Sequence, residues 1–503
     1  MKKWMFSISK RIAALAILAM VFAMELAPAT QTAYADVPYD TYSYNYWKED
    51  VKQPHAYLYT ESFSSKNFQT SLNYPEDMFI TSEAIYVADT GNSRILKLSL
   101  SGEVLMEITA ASGSEDVLLK PQGIFVDEEN QHLYVADSGN GRIVEYDEKG
   151  QWIRSIGRPV TELIDSSQIY TPVKLVVDAA GRMYVTAYGI NMGLIEFSKE
   201  GEFQGFIGAT EVSVSPMEYI WKNYFSTEEQ KKRMETIVPT EYSNLFLDSE
   251  DFIYATISNL DDEDYLSGAD AIRRLNPTGT DILRRLGNYD IVGDLYNSSE
   301  DAEWSVFKDV CATEFGCYYI LDSAGGKVFA YDYDGNSLFI FGDKGNREGT
   351  MRLPTAIGAN ADASIIYVLD SQLGEIMLFE ITDYGRHFLG AMEKNNRGDS
   401  KGAYEEWQEV LKQNSNCELA YIGLGKTFLK EGDYEKAMEY FELGNSKKYY
   451  STAFMYYRKE LMQDYFAKAM GVVGAVILVV LIVVGIKKFR RWAGEVRCVM
   501  EKQ

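Results

Sequence analysis

Three side chains with oxygen ligands fall at one repeated position of this sequence. Aligning the strand beginnings at Pro75, Pro121 and Pro172 with later repeats puts six residues in register: Asp77, Gly123, Lys174, Asn244, Asp309 and Ala356. Oxygens of Asp77, Asn244 and Asp309 are of the kind that a hard cation such as calcium prefers. Lys174 in the same ring would oppose a cation, or would itself neutralise the carboxylates. A calcium site and a solvated polar channel therefore both stay open, and the channel is favoured.

Little else in the sequence has the spacing that catalysis requires. The chain contains three histidines, His55, His132 and His387, in separate segments. It has no complete phosphate-binding P-loop motif and no cysteine or histidine spacing typical of zinc. A zinc centre built from several histidines is therefore disfavoured, and the sequence assigns no catalytic residue.

Four other carboxylates recur, each directly after a predicted strand: Asp89, Asp137, Asp322 and Asp370. The first two are followed at a fixed distance by Arg94 and Arg142. Aspartate is the residue type that short turns use to bind backbone N–H groups. We expect these side chains to hold turns together rather than to do chemistry.

The elements that position these residues are themselves repeated. Tyr134-Val-Ala-Asp-Ser-Gly-Asn140 and the following Gly141-Arg-Ile-Val-Glu-Tyr146 alternate in polarity, which predicts two strands around a turn. Copies begin at Tyr86, Tyr184, Tyr254, Tyr319 and Tyr367. Each copy has room for four antiparallel strands, and such units stack on one another to bury their faces. Six copies predict a mainly β protein with six propeller blades.

At these residues the sequence resembles the NHL-repeat β-propellers, whose signature runs close to Tyr-Val-Ala-Asp-x-Gly-Asn-x-Arg-Ile. The resemblance covers residues 73–389 and implies the fold much more than an activity, because one scaffold carries many functions. Gluconolactonase-type propellers hold a metal on their axis. That likeness implies the alternative function, a metal-dependent lactonase-type hydrolase.

Three long connections interrupt the regular repeats. They span residues 209–240, which are predicted to contain helices, residues 261–268 and residues 288–306. In an antiparallel blade, the blade-to-blade loops and the second-to-third strand loops emerge on the same face. We therefore predict a binding face there, with these candidate residues: Glu218, Trp221, Tyr224, Asp261, Asp262, Asp264 and Lys174.

The N-terminal residues precede the repeats. Residues 1–35 have a basic start, an apolar run and small residues, which predicts a secretory signal peptide. Residues 36–72 follow, and His55–Thr60 is expected to form a strand that closes the propeller by joining its last blade.

Beyond residue 389 the pattern becomes helical. Leu424-Gly425-x-x-Phe428 and Ala437-x-x-x-Phe441 resemble the tetratricopeptide repeat, and residues 390–466 are assigned to such a region. A helical spacer and a peptide-binding groove are both compatible with it. Residues 469–486 carry no charge and predict one transmembrane helix, and residues 487–503 predict a basic cytoplasmic tail.

The acidic charge of the chain limits the partners that it can bind. The net charge of −25 disfavours nucleic acid and favours basic partners or cations.

The chain has four cysteines, and Cys311 and Cys317 are close enough in sequence to form a local disulfide. Two free buried thiols are the alternative.

The order of signal peptide, propeller, tetratricopeptide-like region and terminal span resembles membrane-anchored NHL proteins of Gram-positive bacteria. That resemblance implies an accessory of a transport system. The expected function is non-enzymatic: an extracytoplasmic, single-pass binding or scaffolding protein with a protein partner, an unidentified ligand and no required cofactor.

Overall fold

The propeller consists of six β-sheets that follow one another along the chain. The computed structural model describes residues 37–113, 115–164, 167–190, 192–209, 241–260, 270–294 and 304–500. The predicted signal peptide, most of the predicted insertions and the last three residues lie outside these ranges.

The chain enters the fold through three strands and one short helix: β1 (Tyr42–Tyr44), β2 (Asp50–Lys52), β3 (Tyr57–Phe63) and α1 (Ser65–Phe68). Blades one to three then follow in order. Blade one contains β4 (Asp77–Ile80), β5 (Ala84–Asp89), β6 (Arg94–Ser99) and β7 (Val104–Ile108). Blade two contains β8 (Gly123–Asp127), β9 (His132–Asp137), β10 (Arg142–Tyr146) and β11 (Trp152–Ile156). Blade three contains β12 (Thr171–Val177), β13 (Met183–Tyr188), β14 (Leu194–Phe197) and β15 (Phe203–Ile207).

The second half of the propeller is less regular. Blade four shows three described strands, β16 (Asn244–Leu247), β17 (Ile253–Thr256) and β18 (Ile272–Leu275). Blade five contains β19 (Phe307–Ala312), β20 (Tyr318–Asp322), β21 (Lys327–Tyr331) and β22 (Ser337–Phe341). Blade six contains β23 (Pro354–Ala359), β24 (Ile365–Asp370) and β25 (Glu375–Ile381).

The N-terminal strands complete the last two blades. β3 pairs antiparallel with β25 and supplies the fourth strand of blade six, so that the first and last parts of the propeller sequence share one sheet. β1 pairs with β22, and β2 extends the same sheet beyond it. Pairing of this kind covers strand edges that would otherwise expose free backbone groups.

Blade stacking explains why the inner strands do not show simple polar alternation. All but one of the six residues of β9 are buried, since blades pack on both of its faces. One core cluster joins blades two, three and four through residues such as Tyr184 and Phe197. Each blade therefore depends on its neighbours for its hydrophobic core.

Five helices follow the propeller: α2 (Asp383–Asn396), α3 (Ser400–Gln413), α4 (Glu418–Glu431), α5 (Tyr434–Leu443) and α6 (Lys447–Met500). α2 begins before the boundary that the sequence predicted after residue 389. Thr382 caps the helix by accepting from Gly385 N, and Tyr384 and Phe388 are buried one turn apart. The cap and the helical spacing of these aromatic residues end the last strand earlier than predicted.

α6 joins two segments that the sequence treated separately. The tyrosine-rich stretch before residue 466 and the apolar run 469–486 form one continuous helix. Part of it, Lys447–Gly494, is long and apolar enough to cross a membrane.

Strand direction defines two faces of the propeller. We call the face where blade-to-blade and second-to-third strand loops emerge the loop face. The third strand of each blade ends on the opposite side, and α2 follows β25, the third strand of blade six. The helices therefore begin on this opposite side, the helix face.

Candidate functional site

We call the six residues that the sequence alignment put in register the ring. They lie on the first strands of their blades and are almost completely buried. Asp77 and Asn244 begin β4 and β16, whereas Lys174 and Asp309 lie beside register shifts in β12 and β19. Their exposed fractions are 2% for Asp77, 6% for Lys174, 6% for Asn244 and 3% for Asp309. Lys174 therefore does not belong to the exposed binding face to which the sequence assigned it. Its side chain points to the interior because it is the ion-pair partner of Asp77.

Asp77 joins three blades. Its Oδ2 atom accepts a hydrogen bond from Ile124 N of blade two (2.7 Å) and another from the Lys174 ammonium group of blade three. Its Oδ1 atom is buried and has no hydrogen-bond partner in the described part of the chain. Asp77 therefore links the first strands of three successive blades around the propeller axis.

Asp309 makes the corresponding link between blades five and six. Its Oδ2 atom accepts from Ile357 N (2.7 Å) and its Oδ1 atom accepts from Val310 N (2.8 Å). Burial raises the pKa of Asp309 to about 7; Lys174 opposes this shift and Asp77 adds to it. The folded state therefore keeps a proton that the unfolded chain would release above about pH 4. This group makes the free energy of unfolding fall as pH rises from about 4 to about 7.

The ring does not fit the calcium site that the sequence left open. Calcium takes about six to eight oxygen ligands. Here Asn244 Oδ1 accepts from Leu245 N (2.7 Å), the Asp309 oxygens accept from backbone N–H groups, and Lys174 holds Asp77. Among the described residues, no group of three or more His, Cys, Asp or Glu side chains could hold a metal ion. The arrangement matches the alternative in which Lys174 neutralises the carboxylates.

The repeated aspartates bind turns, as expected. Asp137 is fully buried, and its Oδ1 atom accepts from Leu119 N (2.7 Å). Its Oδ2 atom accepts from Asn140 Nδ2 (2.8 Å) and Arg142 Nε (2.8 Å). Asp89 makes the same three contacts in blade one, with Asn73, Asn92 and Arg94. Each aspartate thus ties the incoming blade connection to the turn between the second and third strands.

Replacing Asp137 with alanine should lower the free energy of unfolding by about 2–3 kcal/mol. The change removes the acceptor that the Leu119 N–H and Arg142 Nε share, although Arg142 keeps its ion pair with Asp116. Urea unfolding of the full chain in detergent micelles measures the change. Asp147→Ala, in an exposed turn of the same blade, is the control and should cost less; equal losses would contradict this role for Asp137.

Two further stretches of the sequence carry residue types that can act as nucleophiles. Cys311 and Cys317 are free buried thiols. Gly398-Asp-Ser-Lys-Gly402 has the letters of a serine nucleophile elbow, but it connects α2 to α3, and Ser400 is the first residue of α3. A nucleophile elbow instead requires a strand before the turn. The remaining predicted face residues, Glu218, Trp221, Tyr224, Asp261, Asp262 and Asp264, lie outside the described residues.

The loop face carries an apolar surface that the sequence did not reveal. The blade connection between β11 and β12 exposes Val160, Leu163 and Ile169, with exposed fractions of 95%, 65% and 80%. Other loops of this face expose further large apolar side chains: Tyr74, Val117, Leu119, Tyr188 and Leu353. We call these eight residues the loop-face patch. A sequence signal existed, since Val160, Leu163 and Ile169 stand in a connection that shows neither strand nor helix periodicity.

A groove lies on the other side, where the propeller meets the helices. Its volume is about 890 Å³. One wall consists of the β1–β2 hairpin tip and the turn between β21 and β22; the other consists of α4 and the start of α6. We call this space the junction groove. Sequence alone could not predict it, because its walls come from segments almost 400 residues apart.

A family model for the NHL repeat matches residues 118–146, which are the end of the first blade connection and most of blade two. The chain carries an NHL repeat within a six-bladed β-propeller. No curated protein matches the chain.

Several solved structures resemble the propeller. A streptogramin B lyase is 12% identical, with a TM-score of 0.42 over 65% of this chain and 100% of that chain. A virginiamycin B lyase from Staphylococcus aureus is 10% identical, with a TM-score of 0.38 over 63% and 98%. A gluconolactonase from Xanthomonas campestris is 13% identical, with a TM-score of 0.40 over 65% and 96%. At sequence identities this low, the activities of these proteins cannot be assigned to this NHL propeller.

Proposed function

We propose that this NHL propeller is an extracytoplasmic binding protein, anchored to a membrane by α6, that docks a protein partner on its loop face. The observation that carries the proposal is the loop-face patch. Isolated exposed apolar residues are common, but eight large ones on the loops of one face mark an interaction surface. Folding of the propeller gives no reason for them, since the blades pack their cores elsewhere.

The ring supports a scaffolding role for the propeller axis. Asp77 Oδ2, Asn244 Oδ1 and both Asp309 oxygens accept from backbone N–H groups, and Asp77 Oδ2 also accepts from Lys174, whereas Asp77 Oδ1 has no partner in the described part of the chain. Several of these contacts join first strands of neighbouring blades. Chemistry on the axis would require those groups to leave their partners. We therefore favour binding over the lactonase-type alternative.

The membrane anchor in this proposal rests on the composition of α6. An apolar run of suitable length lies within α6 and is followed directly by Lys487, Lys488, Arg490 and Arg491. Such a basic flank favours the cytoplasmic side, which supports our proposal that the propeller lies outside. The helices start on the helix face, so the loop face lies on the side of the propeller away from the start of the anchor. This position fits a partner that approaches from outside or a neighbouring component of a transport complex.

Crosslinking in intact cells tests the proposal. The full chain is crosslinked with formaldehyde, extracted in mild detergent and recovered, and the attached proteins are identified by mass spectrometry. We expect a defined set of proteins with the wild type and loss of that set with the triple variant Val160→Ser, Leu163→Ser, Ile169→Ser. Exposed side chains contribute little to folding, so the variant should keep the wild-type thermal stability within about 0.5 kcal/mol.

The matched control removes three exposed apolar side chains elsewhere on the propeller. Leu100, Val104 and Leu105 lie in the turn between β6 and β7 and in β7 itself. Their combined replacement by serine should leave the captured proteins unchanged. Capture that both triple variants retain in full would show that the partner does not use the loop-face patch.

A further inference from the structure

The junction groove has a charge pattern opposite to that of the whole chain. The protein carries a net charge of −25, yet three lysines line this groove: Lys426, Lys447 and Lys448. None of them forms an ion pair with any residue that the structure describes. Their ammonium groups lie over aromatic rings instead: Lys426 over Tyr449 at 4.6 Å and Lys447 over Tyr46 at 5.2 Å.

The carboxylates of the same groove are already engaged. Glu418 accepts from Tyr46 N (3.0 Å) and from Asn445 Nδ2 (2.6 Å), which ties the hairpin to the helices. Asp334 pairs with Arg284 at 3.0 Å. Asp332 accepts from Asn336 N and Nδ2, both at 2.8 Å. With Arg284 and Asp334 paired to each other, three lysines face the two remaining carboxylates, Asp332 and Glu418, so the charged side chains of the lining sum to a net positive charge.

The groove also exposes apolar surface beside these lysines. Trp47 at the hairpin tip is 68% exposed, Leu286 on the propeller side is 56% exposed and Leu443 at the end of α5 is 52% exposed. A ligand that fits must combine anionic groups with apolar side chains. A peptide has both, whereas an anionic glycan has charges and hydroxyl groups but no aliphatic side chains.

We propose that the junction groove binds an extended acidic peptide segment of another protein, held by the three lysines and by the apolar side chains of both walls. The propeller contributes the hairpin and the blade-five turn, so the site exists only where the two parts of the chain meet. This site is separate from the loop-face patch. A finding that no peptide binds in the junction groove would leave the expected capture of a protein by the loop-face patch unchanged.

Fluorescence anisotropy with the full chain in detergent micelles tests this site. The probe is a short fluorescein-labelled peptide of alternating glutamate and leucine. Matched peptides carry glutamine or lysine in place of glutamate, or serine in place of leucine. We expect saturable binding of the glutamate–leucine peptide that weakens with added salt, and binding at least about tenfold weaker for each of the three matched peptides.

Variants then locate the site. Lys426→Gln combined with Lys447→Gln and Lys448→Gln should weaken binding at least about tenfold, because the three ammonium groups that would pair with the peptide carboxylates are lost. The control changes three exposed lysines elsewhere, Lys149→Gln with Lys199→Gln and Lys401→Gln. It has the same net charge and should change binding less than about twofold. Trp47→Ala should also weaken binding while leaving thermal stability unchanged, since Trp47 is largely exposed.

Four results would overturn the proposal. Three are equal affinity for the glutamate and glutamine peptides, equal losses in the two lysine triple variants, and no saturable binding to the wild type; the fourth comes from a competitor. Polygalacturonate is added as a competitor. Displacement of the peptide at matched charge concentration would show a general polyanion site rather than a peptide site, whereas failure to displace supports the proposal.

Discussion

Replacing Lys174 with methionine should lower the free energy of unfolding by about 3–5 kcal/mol near neutral pH. The change removes the ammonium partner of a buried carboxylate while keeping most of the side-chain volume. Asp77 would then stay buried with one backbone donor, and the nearby Asp309 carboxyl would lose a favourable charge. Losing one member of a buried ion pair is among the most costly single changes in a folded protein. Urea unfolding of the full chain in micelles, followed by tryptophan fluorescence, measures the loss.

The loss should depend on pH in a defined direction. Burial already raises the pKa of Asp309, and removing Lys174 raises it further because Lys174 opposes that shift. Lowering the pH from about 8 to about 5 protonates this buried carboxyl group and removes the uncompensated charge. The difference in stability between variant and wild type should therefore shrink as pH falls.

Two comparisons distinguish the contribution of the ion pair to stability from that of side-chain packing. Lys149→Met changes an exposed lysine and should alter stability by less than about 0.5 kcal/mol. Lys174→Met combined with Asp77→Asn removes both charges and should recover a large part of the loss, because a buried neutral pair lacks the desolvation cost of an isolated ion. A loss that is constant with pH and unchanged in the double variant would mean that Lys174 contributes only packing.

Local sequence patterns were sufficient to predict most of the propeller. Tyr134-Val-Ala-Asp and its copies encode strand, turn and strand within a few residues, and the buried Asp137 shows why that position requires a carboxylate. The helical start at Asp383 was misplaced because a capping threonine and two buried aromatic residues lie among residues that also fit a strand end. The residue at which a helix begins depends on such caps more than on the periodicity of apolar residues.

The contacts across the axis were harder to predict. Alignment put Asp77, Lys174 and Asp309 in one ring and favoured a solvated channel around them, whereas in the structure all three are buried and Lys174 pairs with Asp77. Which oxygen meets which donor depends on the register shifts in β12 and β19, and one sequence cannot specify those shifts. The junction groove was not predictable, since Tyr46 meets Glu418 only after the whole propeller has closed.

Ending the chain at Phe466 should release the protein completely from the membrane fraction. The change removes the apolar run that follows, which accounts for the anchor that we propose, and leaves the propeller and α2–α5 intact. Burying about twenty apolar residues in a bilayer binds a protein so strongly that salt and alkaline washing do not extract it. The full chain should therefore stay with washed membranes, whereas the shortened chain should appear in the soluble fraction or the medium.

One further chain and one further measurement make this result specific to the span. Stopping at Gly494 keeps the apolar run and the basic residues directly after it, and should preserve membrane association. The chain ending at Phe466 should also keep the thermal unfolding temperature of the propeller, because the contacts of α6 with α5 and α4 come from its first turns, around Tyr449 and Ala453. If the shortened chain stays with membranes after a high-salt wash, a second attachment exists. The exposed Tyr465 and Phe466 at its new end, and the signal segment at its start, would be the first places to examine.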